Sequence, residues 1–126
     1  MKASFALAML VIAAFSTPAL ASSYQIYFPQ NATTLTPEAK TVADAFAQNV
    51  AHDNPSAITI VGHSDTAENS RTLSLKRAQA VVAELLKDGM SKSIKVSVSG
   101  VGASDLAVPT PPKSHEPLNR FVTVSY

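Results

Sequence analysis

Ala57-Ile58-Thr59-Ile60-Val61-Gly62-His63-Ser64-Asp65 is a β-branched run that stops at a glycine and opens into a polar loop reaching about Asn69. Its apolar residues fall on both parities, the pattern of an interior strand covered on more than one side. Beyond the loop, Leu75, Ala78, Val81, Val82, Leu85 and Leu86 share one face at helical spacing. Lys87 lies in the last turn of that helix, and Gly89 is placed to end it in a left-handed conformation. Strand, loop and helix in this order form a crossover unit whose loop emerges at the carboxyl edge of a sheet, where ligands favour binding.

The flanking segments extend the same pattern. Tyr24, Ile26 and Phe28 alternate as a first strand, and Pro29 removes a backbone donor and stops it. Thr36-Pro37-Glu38 supplies a side-chain cap, a preset first turn and a carboxylate at the positive end of a helix. The helix buries Ala39, Val42, Ala43, Phe46, Ala47 and Val50 and ends at Asp53-Asn54-Pro55. Ile94, Val96 and Val98 alternate with Lys95, Ser97 and Ser99, which predicts a third strand with one buried and one solvated face. A last strand follows near Arg120 to Tyr126. The connection from Ala103 to Pro117 holds Pro109, Pro111, Pro112 and Pro117 and reads as a stiff, extended surface loop serving as a spacer. The order βαβαββ predicts a two-layer α/β fold, with two helices packed on one face of a mixed four-stranded sheet and the first three strands parallel in sense.

The 126 residues suffice for one small domain. Ten Lys+Arg against nine Asp+Glu leave no basic surface for a row of phosphates, so nucleic acid is excluded as a partner class. With no cysteine there is no disulfide, thiolate nucleophile, thiolate metal site or sulfur-linked lipid. Lys2, the apolar stretch Phe5 to Phe15 and the sequence Thr17-Pro18-Ala19-Leu20-Ala21 read as a secretory signal peptide, residues 1–21, cut after Ala21. Its apolar run is too short to span about 30 Å of hydrocarbon, so the mature domain, residues 22–126, is expected to be exported and to carry no transmembrane segment. Removal of the leader takes away Lys2 as its single charge and leaves a neutral chain.

Candidate chemistry concentrates in Gly62-His63-Ser64-Asp65 and in Leu73-Ser74-Leu75-Lys76-Arg77-Ala78. A loop carboxylate at Asp65 and a guanidinium at Arg77 suit a zwitterion: the ammonium of an amino acid lies against Asp65 while its carboxylate takes two parallel bonds from Arg77. The plainer alternative is that Asp65 and Arg77 bond each other and fasten the loop to the helix. A hydrolase built on His63, Ser64 and Asp65 is disfavoured, because consecutive side chains point in different directions and do not converge as a triad. His63 instead orients the loop through its ring nitrogens. His52, His63 and His115 lack metal-ligand spacing, so neither a metal nor another cofactor is expected, and the chain is not read as an enzyme.

Phe28 after a strand, Leu35-Thr36-Pro37-Glu38-Ala39, Gly62-His63-Ser64-Asp65, Leu73-Ser74-Leu75-Lys76-Arg77-Ala78 with Val81, Gly100-Val101-Gly102 and Asn119-Arg120-Phe121-Val122 together resemble the OmpA-like domain. This is the peptidoglycan-binding module of outer-membrane protein A and the peptidoglycan-associated lipoprotein. The resemblance covers essentially the whole chain after the leader. It implies a noncatalytic clamp on the diaminopimelate of the stem peptide, with Asp65 and Arg77 matching the ligand-binding aspartate and arginine. His63, Thr66, Ser70, Leu73, Asn119 and Arg120 are the supporting candidates. It also implies the periplasm of a Gram-negative bacterium, where any association with the outer membrane or wall beyond peptidoglycan itself runs through an envelope protein partner. Four features depart from the family pattern. Pro29 and Ser70 stand where an acidic residue and an asparagine are usual, the Asp65 to Leu73 loop is short and lacks its glycine, and Phe121 replaces a second arginine. An envelope interaction module with the same fold but no wall affinity is the rival reading.

Overall fold

A computed structural model describes residues 22–126; the expected leader, residues 1–21, lies outside the described residues. The elements run β1 (Ser23–Tyr27), α1 (Pro37–Asp53), β2 (Ala57–Gly62), α2 (Arg71–Lys87), β3 (Lys95–Gly100), a 3-10 turn at Pro117–Asn119 and β4 (Phe121–Ser125). The sheet order is β1-β4-β2-β3, with β2 and β3 parallel and β4 antiparallel to both β1 and β2. The first three strands therefore share one sense, as the crossovers require, while β4 enters between β1 and β2. Among the described residues no helix is long and apolar enough to cross a membrane.

Local chemistry sets the helix ends. Thr36 Oγ1 accepts from the Ala39 N–H at 3.1 Å, and Asn54 closes α1 in the left-handed region at φ 49°. Gly89, at φ +97°, closes α2: its N–H reaches the Leu86 carbonyl and the Met90 N–H reaches Leu85, the paired bonds of a Schellman ending. Between helices and sheet lies one apolar core that includes Ile26, Ala43, Phe46, Ile58, Ile60, Val81, Leu85, Val122 and Val124. Phe46 meets Tyr24 edge-on at 5.9 Å and Tyr126 at 5.7 Å between ring centroids.

Three expectations change. β2 is covered on one face only, since Ala57 and Thr59 are exposed and the helices pack on the side of Ile58 and Ile60. Val98 of β3 is 37% exposed because β3 is the edge strand of the sheet, with no neighbouring strand on its outer side. The inward face of α2 is rotated from the leucine-rich stripe: Leu86 is 40% exposed, whereas Ser74 and Arg77 are fully buried beside Ala78, Val81 and Leu85. That rotation carries two polar side chains toward the sheet.

Candidate functional site

The carboxyl ends of β1, β2 and β3 and the start of β4 lie at one edge of the sheet. Three loops meet there: residues 28–36, residues 63–70 and residues 101–120. Helix α2 approaches this edge closely. A Cβ on Gly62 would lie 1.8 Å from the Ser74 carbonyl oxygen, and one on Gly100 would lie 2.4 Å from the Leu75 nitrogen, so these glycines let the helix start rest on the strand ends. Ser74 Oγ accepts from the Gly102 N–H at 2.9 Å and ties in the third loop.

Arg77 is fully buried and every N–H of its guanidinium is used. Nε donates to the Ala32 carbonyl at 2.8 Å, one Nη to the His63 carbonyl at 3.0 Å, and the other to the Pro29 carbonyl at 3.2 Å. The two remaining donors form a two-pronged pair with Glu68, at 2.9 Å to Oε1 and 2.6 Å to Oε2. The guanidinium carbon also lies 5.5 Å from the centre of the Phe28 ring. Proline at position 29 contributes through its carbonyl, and the left-handed Asn31, at φ 57°, turns this loop inward.

Asp65 does not bond Arg77. Its Oδ2 accepts from Arg120 at 3.1 Å and from the Glu116 N–H at 3.1 Å, and its Oδ1 accepts from the Glu68 N–H at 2.8 Å. Burial raises the Asp65 pKa, but these bonds and the Arg120 charge outweigh it and hold the carboxyl below its ordinary value. The alternative in which Asp65 and Arg77 fasten to each other is thus replaced by two parallel ion pairs, Asp65 with Arg120 and Glu68 with Arg77.

Glu68 is the residue that the sequence reading missed. The segment Asp65-Thr66-Ala67-Glu68 closes as a capping box: the Glu68 N–H bonds the Asp65 side chain, and Glu68 Oε1 accepts the Asp65 N–H at 3.1 Å. An acidic residue three positions after Asp65 was the available signal. Its side chain is 1% exposed.

The supporting candidates divide. Arg120 joins the centre, bonding Asp65 and the Phe28 carbonyl. Thr66 Oγ1 donates to the Pro111 carbonyl at 2.6 Å and accepts from the Ser114 N–H, which pins the proline-rich loop. Asn119 is fully buried and brackets Val108, accepting from its N–H and donating to its carbonyl. Ser70 caps α2 through the Leu73 N–H, and Leu73 is half-buried in the first turn. His63, Ser64 and Asp65 turn to three different partners. The His63 ring stacks on Phe121 at 3.9 Å, and Nδ1 meets the Asp105 carbonyl, so Nδ1 carries the proton. Burial lowers the His63 pKa, against the opposing pull of Asp105. Ser64 Oγ accepts from the Ser70 N–H.

Known proteins share this arrangement of strands and loops. An "Outer membrane protein" of Gluconacetobacter diazotrophicus is 30% identical over 116 residues; the match takes in 85% of this chain, which spans 30% of that relative's length. The OmpA-like domain of FopA1 from Francisella tularensis superposes with a TM-score of 0.73 at 26% identity, covering 84% of this chain and 71% of the other. The peptidoglycan-associated lipoprotein of Burkholderia pseudomallei has a TM-score of 0.69 at 21% identity, covering 81% and 89%, a likeness of fold. The OmpA family's sequence model matches residues 27–120, from the last residue of β1 to the residue before β4. Because that span takes in all three edge loops and the helix that supplies Arg77, the chain belongs to the OmpA family.

Proposed function

We propose that this chain is a noncatalytic peptidoglycan-binding module of the bacterial cell envelope, exported by a leader cut after Ala21, and that Asp65 and Arg77 hold the diaminopimelate of the stem peptide. The observation that carries the reading is the carboxylate on Arg77, seated in a buried, two-pronged geometry. An amino-acid head group offers the same carboxylate, and once Glu68 gives way its ammonium takes the place of the Glu68 N–H on Asp65 Oδ1, the single bond that this buried oxygen accepts. Each charge-assisted bond contributes about 1.5–3 kcal/mol. Two or three of them, less the cost of association, give roughly micromolar to millimolar affinity for one small ligand. Repetition along a polymer converts that into retention.

Membership of the OmpA family and a shared fold with a peptidoglycan-associated lipoprotein support wall binding, and a relative named as an outer membrane protein supports the envelope. A periplasmic site in a Gram-negative bacterium follows from this reading. The second reading, an envelope interaction module without wall affinity, is favoured by one observation: Glu68 fills the guanidinium that the ligand needs.

Sedimentation with purified wall sacs separates the two. Residues 22–126 should pellet with sacs containing diaminopimelate and less well with sacs that carry lysine in its place, and no soluble fragments should appear. Asp65→Asn and Arg77→Lys, checked for folding by circular dichroism, should stay in the supernatant. A wild-type protein that never pellets defeats wall binding, and two folded variants that pellet as wild type does defeat the residue assignment.

A further inference from the structure

We infer that Glu68 is an internal occupant of the ligand seat, a carboxylate from the chain's own loop that an incoming carboxylate must displace to reach Arg77. The inference deepens the proposed function and rests on it for the identity of the physiological ligand.

Glu68 receives four N–H donors, two on each oxygen. Oε1 takes Arg77 at 2.9 Å and the Asp65 N–H at 3.1 Å; Oε2 takes Arg77 at 2.6 Å and the Asn31 N–H at 2.6 Å. These donors come from the first loop, the second loop and α2, so the seat is part of the fold and needs only a carboxylate, not the glutamate backbone. The two partners are held unequally. Arg77 lies within α2, and the carbonyls of Pro29, Ala32 and His63 keep its guanidinium in place after the carboxylate leaves. Glu68 stands on a short turn between strand and helix, and all four bonds to its side-chain oxygens come from the seat itself. A free carboxylate can reproduce those bonds one for one.

An occupant tethered this closely competes at an effective concentration of millimolar or more. Observed affinity for an external carboxylate is then the intrinsic affinity scaled down by the fraction of open seats. Glu68 therefore sets the threshold at which this chain responds to ligand.

Glu68→Ala vacates the seat and leaves the Arg77 charge unpaired. The test compares thermal melts of wild type, Glu68→Ala and Glu68→Ala/Arg77→Met in sodium acetate against sodium chloride at equal ionic strength. Acetate should raise the Tm of Glu68→Ala by several degrees in a saturable manner and leave the other two unmoved. Should Glu68→Ala not fold in chloride, folding on addition of acetate is the same readout. In the sac assay Glu68→Ala, and to a lesser degree Glu68→Gln, should bind at least tenfold more tightly than wild type. Acetate recovery in a chain that never pellets keeps the seat and defeats wall binding. No acetate response, or a Glu68→Ala that pellets no better than a wild type that does, overturns the role of Glu68 and leaves wall binding standing.

Discussion

The guanidinium of Arg120 lies 3.1 Å from Asp65 Oδ2 and pairs two residues 55 positions apart in the chain. The Asp65 side chain is sealed and that of Arg120 is 11% exposed. Removing the arginine leaves a buried carboxylate without its cation, which costs about 3–5 kcal/mol. Arg120→Ala should lower the denaturation midpoint accordingly at neutral pH.

Acidification tests the same pair. The folded carboxyl titrates below the ordinary aspartate value of 3.8, so its contribution is full above that value and is lost as pH falls through the lower folded pKa. Denaturant midpoints measured between about pH 5 and pH 2 should therefore drop at the acid end for wild type. Asp65→Asn should flatten that drop, and Arg120→Ala should move it to higher pH. An Asp65→Asn profile parallel to wild type across this range would show that Asp65 is not held ionised by its partners.

Gly62 carries a second prediction, since the helix that presents Arg77 rests directly on it. An alanine Cβ would overlap the Ser74 carbonyl oxygen at 1.8 Å, and the obstacle is backbone, which no side-chain rotation relieves. Gly62→Ala should destabilise by about 3 kcal/mol or more, the upper range for overpacking. It should also weaken any ligand response, because Arg77 shifts with the helix. Gly89→Ala is the comparison: nothing lies within 4 Å there, and only the left-handed φ of +97° opposes the change, which costs about 1 kcal/mol.

The helices were legible because their ends are local chemistry. Thr36 before Pro37, and Gly89 after Lys87, can act only at a start and a stop. Asp65 and Arg77 were legible as charged groups at the carboxyl edge, and Arg120 as a supporting residue, but the pairing of Asp65 with Arg120 and of Arg77 with Glu68 was not. Arg120 reaches Asp65 only because β4 inserts between β1 and β2, a placement that no local pattern encodes. Glu68 is different: the Asp65-x-x-Glu68 spacing is a capping box on its face, hidden by reading the loop as a ligand rim instead of a helical turn. The burial of Ser74 and Arg77 on α2 escaped notice for a related reason, since hydrophobic periodicity centres a helix on its leucines and cannot register a buried polar network.

Asn119 should prove to be a bracket for the proline-rich loop. Its amide exchanges two bonds of 2.9 Å with the backbone of Val108 and is fully buried. Asn119→Ala leaves a backbone N–H and a carbonyl without partners, at a cost of about 2 kcal/mol. Limited proteolysis should then cut first between residues 103 and 116, with the rest of the domain intact. A variant with wild-type protease resistance in this segment would assign the restraint to Thr66 and its bonds to Pro111 and Ser114 instead.

At the opposite end of the molecule Asp88 opposes folding once it is ionised, an effect that is fully developed above about pH 6. It caps the negative end of α2, where a carboxylate is unfavourable, and its carboxyl lies with those of Asp44 and Glu84 in a group within 4.8 Å. Desolvation between α1 and the end of α2, then Asp44 and Glu84, push its pKa up to about 6, against a smaller pull from Lys87. Between 3.8 and about 6 the folded chain holds a proton that the unfolded chain releases, so stability falls as pH rises through this window. Asp88→Asn removes the charge and should raise the Tm at pH 8, with the advantage shrinking to nothing near pH 3.5. Asp44→Asn should give part of the same gain, and the double variant less than the sum, because both changes relieve one repulsion. Thermal melts of the four proteins across that pH range check the assignment, and a gain for Asp88→Asn that does not vary with pH would place the benefit in helix capping alone.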